Sequence, residues 1–457
     1  MCKVAVVFKV GTSDPGLTPT GATFERVDSY EFGSHDLLGP GVGIEALTRQ
    51  LRTLQLQPSE DAMDLLVLAA AVFTADTTIS RFHYSQDSWT REISLFVPVQ
   101  QPALWEAQQD RIQKILQFLT GDFWTITFRA RADAALLLAP GTTYTKWHPG
   151  FTARPTDVCL FSGGLDSFIG AVDLLSSGRV PLLVGHYKSS DVAPFQKSSF
   201  AALEQHYPAT PLKRMKAYIR APKDKTLGVR GDEKTERGRS FLFFALGVLC
   251  AQALGPAVPL IVPENGLISL NLPLTLSRQG AYSTRTTHPW YIQQMNELLR
   301  GLGIPNLIEN PYQFQTKGEM LDRCANRTLA AQAGTMSCSH PATRRFSATG
   351  YGNRHCGYCV PCIIRSAAFG KAGLHDASPD RGGITGAGKR LDVKKSEGTD
   401  VMAFKFMLEM RRRRPNYVTA AIRLTGPLPD QDVPAYIAMC NRGLDEVDAF
   451  VQQVTLV

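Results

Sequence analysis

Apolar runs and amphipathic stripes alternate along the central part of the chain. Between residues 151 and about 370, the pattern predicts strands and helices in turn, at Val158–Phe161 (strand), Ser167–Leu175 (helix), Pro181–Tyr187 (strand), Arg239–Ala253 (helix) and Pro259–Pro263 (strand). Strands that alternate with helices predict a parallel, doubly wound sheet, and therefore an α/β fold. Ligands of such sheets bind beyond the carboxyl ends of the strands.

Residues 1–150 have shorter apolar runs and more turn-rich stretches. We predict strands at Ile93–Val99 and Phe123–Phe128, and a helix at Trp105–Leu119, where apolar residues recur at helical spacing. The nine apolar residues Leu65–Phe73 suit a buried strand or a short core helix. We expect an N-terminal accessory α+β domain here, and it contains no catalytic signature.

The last part of the chain reads as a linker followed by helices. Ser378–Gly388 is rich in glycine and polar residues, whereas Val401–Arg413 and Pro434–Val454 show helical patterns. The sequence therefore predicts three parts: an accessory domain at 1–150, the α/β domain at 151–370, and a linker with a small C-terminal helical region at 371–457.

Composition narrows the class of protein. Hydrophobic residues make up 44% and charged residues 20% of the 457 residues, which is typical of a globular chain. No run of 18 uncharged apolar residues occurs, and the N-terminus lacks the layout of a secretory signal, so we expect a cytoplasmic protein without a membrane span. The net charge of +8 suits a protein that handles anions. The basic run Arg411–Arg414 is interpreted as a solvated helix face, with an RNA, DNA or acidic-protein contact as the alternative.

The most informative segment is Ser162-Gly163-Gly164-Leu165-Asp166-Ser167, which follows an apolar strand and opens a helix. Two glycines allow a sharp turn and a close approach of the backbone to a phosphate. The first amides of the helix point towards such a ligand, and the two serines add hydroxyl donors. Asp166 would support the loop or help to hold Mg²⁺. The alternative is an ordinary helix start capped by serine or aspartate.

A second glycine-rich segment, Gly383–Arg390, looks like a Walker A loop. Arg390 stands where that motif needs serine or threonine to bind Mg²⁺, and no apolar strand precedes the segment. We therefore do not assign it a phosphate-binding role.

Three of the nine cysteines fall within seven residues, at Cys356, Cys359 and Cys362, and Cys338 lies upstream with 17 residues between. Four thiolates suit a closed, tetrahedral structural Zn²⁺ site. The alternatives are unligated thiols, a redox pair, an iron–sulfur cluster, or a site in which His340 or His355 replaces one cysteine. The all-cysteine set is our prediction.

The Ser162–Ser167 segment resembles the SGGxDS pyrophosphate loop of PP-loop ATPases, which cleave ATP between the α- and β-phosphates. The cysteine site after this domain looks like that of the QueC family, the 7-cyano-7-deazaguanine synthases. Weaker matches agree with that family, namely Glu236–Ser240, Pro263–Gly266 and Thr316–Leu321. The similarity covers roughly residues 155–370.

This resemblance implies a ligase that uses ATP, Mg²⁺ and Zn²⁺. It would adenylate the carboxylate of 7-carboxy-7-deazaguanine and transfer it to a nitrogen nucleophile, giving an amide and, with a second ATP, a nitrile. The implied catalytic residues are Asp166, Arg239 and Lys317. ATP would contact the Ser162–Ser167 loop, His186 and Tyr187, and the deazaguanine would be read by Glu264, Asn265 and His288.

The chain also departs from the plain family pattern. About 150 additional residues precede the similar region and about 85 follow it, and the gap between Cys338 and Cys356 is longer than usual. This layout is similar to the QueC-like proteins of bacterial anti-phage systems, notably the QatC group of the Qat system. The resemblance implies a role in anti-phage defence, in which an amine of a partner protein is the alternative acceptor.

Two further hypotheses stay open. One is a zinc-stapled nucleic-acid-binding protein with an inactive PP-loop. The other takes Cys2 as the N-terminal nucleophile of a glutaminase domain, although 150 residues are few for such a domain. The sequence does not predict the oligomeric state.

Overall fold

The computed structural model describes residues 3–11, 13–19, 23–33, 41–85, 87–131, 153–186, 192–219, 233, 235–275, 285–339, 353–379 and 390–457. Within them the fold is mixed α/β, with two five-stranded parallel sheets and one two-stranded sheet. Cys2, Tyr187, His340 and residues 383–389 of the Walker-like segment lie outside these residues.

Residues 3–130 contain the first sheet. Its strands lie in the order β3-β2-β1-β4-β5, and all four pairings are parallel. The strands are β1 (Lys3–Val10), β2 (Arg26–Phe32), β3 (Gly41–Val42), β4 (Glu92–Val99) and β5 (Phe123–Ala130). This differs from the α+β arrangement predicted from the sequence, because helical crossovers link β3 to β4 and β4 to β5 and keep the strands parallel.

Five helices accompany this sheet. They are α1 (Glu45–Thr53), α2 (Glu60–Thr78), α3 (Arg81–Tyr84), α4 (Pro102–Glu106) and α5 (Gln109–Thr120). The apolar stretch Leu65–Phe73 forms the centre of α2, which is buried around its whole circumference. A helix that is hydrophobic all round needs neighbours on every side.

The helix predicted at Trp105–Leu119 is divided between α4 and α5. Trp105 is completely buried against Phe128, with ring centroids 5.6 Å apart. Its carbonyl accepts a hydrogen bond from the amide of Gln108 at 3.0 Å, a tight i to i+3 turn that ends one helix before the next begins. The periodic pattern alone does not reveal this break.

The second sheet has the same strand order as the first. In its order β10-β9-β6-β7-β8, the first strand along the chain, β6, lies in the centre, and the later strands are added on its two sides. All pairings are parallel. The strands are β6 (Asp157–Leu160), β7 (Pro181–His186), β8 (Lys213–Ala217), β9 (Leu260–Ile261) and β10 (Ile308–Glu309). The strands predicted at 158–161, 181–187 and 259–263 are thus confirmed within one or two residues at each end.

Helices cover this sheet and continue beyond it. They are α6 (Leu165–Ser176), α7 (Ala193–His206), α8 (Arg239–Leu254), α9 (Gly266–Leu270), α10 (Pro289–Gly301), α11 (Lys317–Arg323), α12 (Arg327–Gln332) and α13 (Val360–Ala372). The predicted helices at 167–175 and 239–253 correspond to α6 and α8.

The C-terminal region is mainly helical, as predicted. It contains β11 (Arg390–Leu391), α14 (Ser396–Arg413), α15 (Tyr417–Arg423), α16 (Val433–Val451) and β12 (Thr455–Leu456), and β11 and β12 pair in parallel. Helix α16 packs against α13, α11 and α9 of the preceding region. Its buried residues share one hydrophobic cluster with residues of α9 and α13.

The two large sheets are joined by a common core. Helix α2 packs on β4 of the first sheet and on α8 beside the second sheet. One hydrophobic cluster contains buried residues from both sheets. The first 130 residues are therefore packed against the second sheet along a continuous apolar surface.

A buried ionic network strengthens the same junction. The guanidinium group of Arg91 is completely buried and lies 2.7 Å from Asp76 and 2.6 Å from Asp122. Arg81 adds an ion pair of 2.7 Å with Asp122. Asp76 also accepts a hydrogen bond of 2.8 Å from the amide of Gly238, the residue before α8. Buried charges persist only when they are paired in this way, and here the pairing fixes the start of α8.

Candidate functional site

The phosphate-loop candidate lies where the order of the second sheet changes direction. The chain runs from β6 to β7 and β8 on one side, and then to β9 and β10 on the other. β6 is paired with both β7 and β9, and Ser162–Gly164 follow its carboxyl end after one intervening residue, Phe161. This topological switch point is where open α/β sheets bind their ligands.

The backbone of the loop requires its first glycine. Gly163 has a φ of +83°, and a Cβ on it would lie 2.9 Å from the backbone nitrogen of Gln196. The following Gly164 is the N-cap of α6 and has no side chain with which to cap the helix. The alternative of an ordinary helix start capped by serine or aspartate therefore does not describe this turn.

The two serines of the loop face each other. Their hydroxyl oxygens, Ser162 Oγ and Ser167 Oγ, lie 3.2 Å apart. The amide of Gly164 donates to Ser162 Oγ at 3.3 Å, and the hydroxyl of Ser167 donates to the Gly164 carbonyl at 3.0 Å. Ser162 is exposed, whereas Ser167 is buried. The loop is thus folded tightly, with Ser162 on its solvent-accessible side.

Asp166 is the centre of a buried polar cluster beside the loop. Its Oδ1 lies 2.8 Å from Nζ of Lys317. Its Oδ2 accepts hydrogen bonds from the side chain of Asn265 at 2.7 Å and from the Asn265 backbone at 3.2 Å. The same Asn265 amide group donates to Glu264 at 3.3 Å. Four of the predicted site residues are therefore in contact with one another at the ends of β6 and β9.

The local structure explains why these four residues meet. Glu264 and Asn265 follow β9, the neighbour of β6, and the Asn265 side chain caps α9 by accepting from Ile268. Lys317 is the first residue of α11, whose start is fixed by a capping box between Thr316 and Glu319. Capping thus holds two of the site residues at defined helix starts.

The two carboxyl groups of the cluster titrate in opposite directions. Burial acts to raise the pKa of Asp166, but the charge of Lys317 and the hydrogen bonds around the carboxylate hold that pKa below its usual range. Burial, and then the negative charge of Asp166, raise the pKa of Glu264 well above its usual value. The pKa values of the two carboxyl groups therefore move apart, and Lys317 balances the negative charge of Asp166.

His186 and Arg239 lie at the end of β7, the strand on the other side of β6. The guanidinium Nε of Arg239 lies 3.4 Å from Nδ1 of His186, and Nη2 donates to the His186 carbonyl at 3.4 Å. The ring of His186 is buried against Phe73 of α2, with centroids 5.8 Å apart. Arg239 remains 40% exposed and forms a long ion pair with Glu236. The buried network at Gly238 holds this arginine at the edge of the site.

His288 has a different environment from the one its predicted role requires. It is completely buried and caps α10, where its Nδ1 accepts from the amide of Trp290 at 3.3 Å. Its Nε2 therefore carries the hydrogen and donates to Thr425 at 3.1 Å. Burial, and to a lesser extent the charge of Arg285, lower the pKa of His288 to about 3. A neutral ring with both nitrogens engaged by the protein has no free edge for reading a substrate.

The four predicted metal ligands form one cluster. The sulfur atoms of Cys338, Cys356, Cys359 and Cys362 all lie within 4.8 Å of one another. A tetrahedral ion with metal–sulfur bonds of about 2.3 Å places its sulfurs about 3.8 Å apart. The observed distances are 3.9 Å for Cys338–Cys359 and for Cys356–Cys362. This buried cluster can hold a metal ion such as zinc, and its thiols are free rather than paired in disulfides.

His355 lies beside this cluster. Its Nδ1 is 3.5 Å from the sulfur of Cys362, and its Nε2 is 3.1 Å from the carbonyl of Thr335. A carbonyl oxygen can only accept, so Nε2 carries a hydrogen. The ring therefore supports the cluster from outside the set of four sulfurs.

Three residues at the loop were not predicted. Gln196 of α7 packs on Gly163, and its amide group faces the carbonyls of Phe161 and Ser162 at 3.5 and 3.4 Å. Met336 and Ser337 contact the loop from the segment that leads to Cys338. Met336 and Ser337 could have been suspected from the sequence, because they directly precede the predicted metal ligand Cys338. No feature of the sequence indicated Gln196.

The basic run in α14 is paired within the chain. Arg411 lies 2.6 Å from Asp445, Arg412 lies 2.8 Å from Asp448, and Arg413 lies 2.6 Å from Glu409. Arginines that already face carboxylates bind a polyanion less favourably, because those ion pairs must first be broken. The arrangement favours the interpretation of a solvated helix face.

Comparisons with known proteins add no relative. No model of a known protein family matches the sequence, and a search of curated proteins finds no significant match. Among the described helices, none has the length and apolar character needed to cross a membrane.

Proposed function

We propose that this protein is an ATP-dependent ligase that activates a carboxylate by adenylation and transfers it to a nitrogen nucleophile. The observation that carries the proposal is the Ser162–Ser167 loop at the switch point of a parallel sheet, next to the Asp166–Lys317 ion pair. The resemblance of this loop and of the cysteine cluster to the QueC family suggests 7-carboxy-7-deazaguanine as the carboxylate.

In the proposed reaction, a carboxylate oxygen attacks the α-phosphate of ATP. The bond between the α-phosphate and the bridging oxygen to the β-phosphate breaks, and pyrophosphate leaves with that oxygen. The glycine-rich turn and the start of α6 would bind the pyrophosphate through backbone amides and the Ser162 hydroxyl. Fixed donors of this kind stabilise the negative charge that develops in the transition state.

Lys317 and Arg239 would supply the positive charges. Lys317 is buried and its position is fixed by Asp166 and by the capped start of α11. Arg239 is partly exposed at the end of β7 and can reach an anion at the mouth of the site. A cation that is held in place in advance loses little freedom when the substrate binds.

The pair Asp166 and Glu264 suits a divalent cation. The raised pKa of Glu264 arises from burial and from repulsion by Asp166, and a cation between the two carboxylates would stabilise both of them in the charged form. Mg²⁺ prefers oxygen ligands of this type, and when bound to ATP it would neutralise part of the pyrophosphate charge. Asp166 and Glu264 are the residues that we expect to hold it.

The acyl-adenylate would then be attacked by a nitrogen nucleophile. Ammonia would give the amide and release AMP and a proton, and a second activation of the amide would give the nitrile. In the alternative for a defence system, an amine of a partner protein replaces ammonia and becomes covalently attached. Zinc at the four cysteines would act as a structural ion, because four thiolates leave no open position.

Pyrophosphate release from ATP tests the proposal. We expect release that depends on 7-carboxy-7-deazaguanine, and we expect Lys317→Met to reduce it by roughly 10²- to 10³-fold, as the loss of a preorganised charge does. Lys114→Met is the matched control, because Lys114 is exposed on α5, and its activity should equal that of the wild type.

The products decide between the acceptors. With ammonia present, mass spectrometry should detect the amide or the nitrile, whereas a partner protein would gain the mass of the acyl group. Absence of pyrophosphate release with this carboxylate, with or without candidate partners, would contradict the proposal. Salt-sensitive binding to RNA or DNA together with such an absence would favour the nucleic-acid-binding alternative.

A further inference from the structure

Residues 335–338, here called the bridging segment, touch both the phosphate loop and the cysteine cluster. On the loop side, the amide of Met336 donates to the carbonyl of Gly163 at 2.8 Å. The amide of Leu165, at the start of α6, donates to Ser337 Oγ at 3.4 Å. A Cβ on Gly164 would lie 3.4 Å from the Met336 carbonyl, so the two backbones are close together.

The other side of the bridging segment is held by the metal-binding region. Cys338 ends the segment, and its sulfur accepts from the amide of Cys356 at 3.4 Å. The carbonyl of Thr335 faces the ring of His355 at 3.1 Å. The segment is thus fixed at both ends by residues of the cysteine cluster or residues beside it.

Arg365 provides a second attachment. It lies three residues after Cys362 on α13 and is only 2% exposed. Its Nη1 donates to Thr335 Oγ1 at 2.9 Å and to Ser337 Oγ at 3.1 Å. Its Nε and Nη2 form a bidentate pair with Asp376 at 2.6 and 2.9 Å. A bidentate pair fixes the plane of the guanidinium, so the direction of its Nη1 donor is fixed as well.

We infer that Ser337 and Arg365 are positioning residues that transmit the order of the cysteine cluster to the phosphate loop. Ser337 Oγ has two acceptor sites, one for Arg365 and one for the amide of Leu165. The metal would hold Cys338, and Arg365 would hold Thr335 and Ser337. Together these contacts would fix the position of the Gly163–Leu165 turn. This inference rests on the proposed function only for its biological meaning, because the coupling itself can be measured without any substrate.

The consequence is that metal binding and pyrophosphate binding are linked. When the metal is absent, the bridging segment loses its anchor at Cys338, and the two hydrogen bonds that the segment makes with the loop become less ordered. A turn whose amides are less ordered binds an anion less tightly, because the ordering must then accompany binding. Metal content should therefore influence pyrophosphate affinity although the thiols do not touch the phosphate.

Hydrogen exchange detected by mass spectrometry tests this link. In Ser337→Ala, amides of residues 163–168 should exchange roughly two- to tenfold faster, the range expected for the loss of one hydrogen bond. Pyrophosphate affinity should fall by a similar factor, and Ser337→Thr, which keeps the hydroxyl, should restore both. Arg365 keeps its bond to Thr335 in these variants, so exchange of α13 should remain unchanged, which a general structural defect would not allow.

The matched control is Ser177→Ala at the opposite end of α6. The hydroxyl of Ser177 donates to the Leu174 carbonyl at 2.7 Å, and the residue is exposed. Its removal should leave exchange of residues 163–168 as in the wild type. Removal of the metal by a chelator, verified by elemental analysis, should accelerate exchange in the same loop.

Unchanged loop exchange in Ser337→Ala would overturn the inference, as would unchanged exchange after verified metal loss. If chelation unfolds the whole chain, the Ser337 variants decide, since they leave the four thiols intact. A coupled loop in a protein that releases no pyrophosphate would leave the inference standing and refute the proposed reaction instead.

Discussion

Gly163 and Gly178 offer a paired test of the phosphate-loop geometry. The two glycines flank helix α6, and their φ angles of +83° and +78° are nearly equal. Their surroundings differ, because a Cβ at Gly163 would lie 2.9 Å from the backbone nitrogen of Gln196, whereas no atom lies within 4 Å of a Cβ at Gly178. Substitution by alanine therefore adds the same backbone strain at both positions but a steric clash at only one.

The expected losses of unfolding free energy follow from the backbone strain and the steric clash. An L-residue in the left-handed region costs roughly 1–2 kcal/mol, and this term applies to both variants. At Gly163 the contact is with backbone, which cannot rotate away, so α7 or the loop must shift at a further cost of about 1–3 kcal/mol. We expect Gly178→Ala to lower the free energy of unfolding by about 1–2 kcal/mol and Gly163→Ala by about 2–5 kcal/mol. The effect of alanine on the unfolded chain is the same in both and cancels in the comparison.

Urea unfolding with linear extrapolation measures the difference, provided the slopes of the two variants agree. Pyrophosphate binding, measured in parallel, should be lost in Gly163→Ala and retained in Gly178→Ala. Equal destabilisation of the two variants, or normal pyrophosphate binding by Gly163→Ala, would refute the loop geometry described above.

Three further predictions concern the metal, the buried histidine and the ionic network. Elemental analysis should find about one zinc ion per chain, lost in Cys359→Ser but kept in Cys440→Ser, because Cys440 is buried in α16 and is not one of the four clustered cysteines. Since the pKa of His288 falls from 6.5 in the unfolded chain to about 3 in the folded chain, only the unfolded chain binds this proton between those values. The stabilising contribution of His288 is therefore present above pH 6.5 and declines on acidification, by about 2 kcal/mol at pH 5. The difference in the free energy of unfolding between the wild type and His288→Asn should decrease by the same amount. Asp122→Asn should cost about 3–5 kcal/mol in urea unfolding, because it leaves Arg91 buried with too little negative charge.

Each of these predictions has a clear contrary result. Zinc retained by Cys359→Ser would exclude the four-thiol ligand set. Parallel curves of unfolding free energy against pH for wild type and His288→Asn would mean that the histidine is not held neutral. Contributions from other titrating groups cancel in this comparison. One such group is Asp64, because burial raises its pKa to about 7 and its effect on stability has the opposite sign. Asp448→Asn breaks an exposed pair with Arg412 and should cost far less than Asp122→Asn. Equal losses of unfolding free energy in Asp448→Asn and Asp122→Asn would contradict the larger contribution that we assign to the buried network.

Local features of the sequence predicted the parts of the site that depend on local geometry. A strand followed by two glycines and a helix can be recognised within ten residues, and the short spacing of Cys356, Cys359 and Cys362 predicted their proximity. Three strands of the second sheet, β6, β7 and β9, and the helices α6 and α8 were predicted for the same reason, since their apolar periodicity is a local property.

Features that depend on contacts between distant segments could not be predicted in this way. Gln196 and Ser337 reach the loop from 33 and 172 positions away in the sequence, measured from Gly163 and Leu165 respectively. The resemblance implied that His288 binds the substrate, but Phe118 and Thr425 from distant parts of the chain contact its ring. The parallel pairing of the first sheet likewise depends on crossovers that the turn-rich sequence does not reveal.

Isotope transfer tests the central claim most directly. The carboxylate of 7-carboxy-7-deazaguanine is labelled with ¹⁸O, the substrate is incubated with ATP and ammonia, and the AMP is examined by mass spectrometry. Adenylation followed by attack of nitrogen predicts one ¹⁸O atom in each AMP released with the amide, because the oxygen that attacked the α-phosphate leaves with it. AMP without the label, or the formation of ADP and phosphate in its place, would contradict the account.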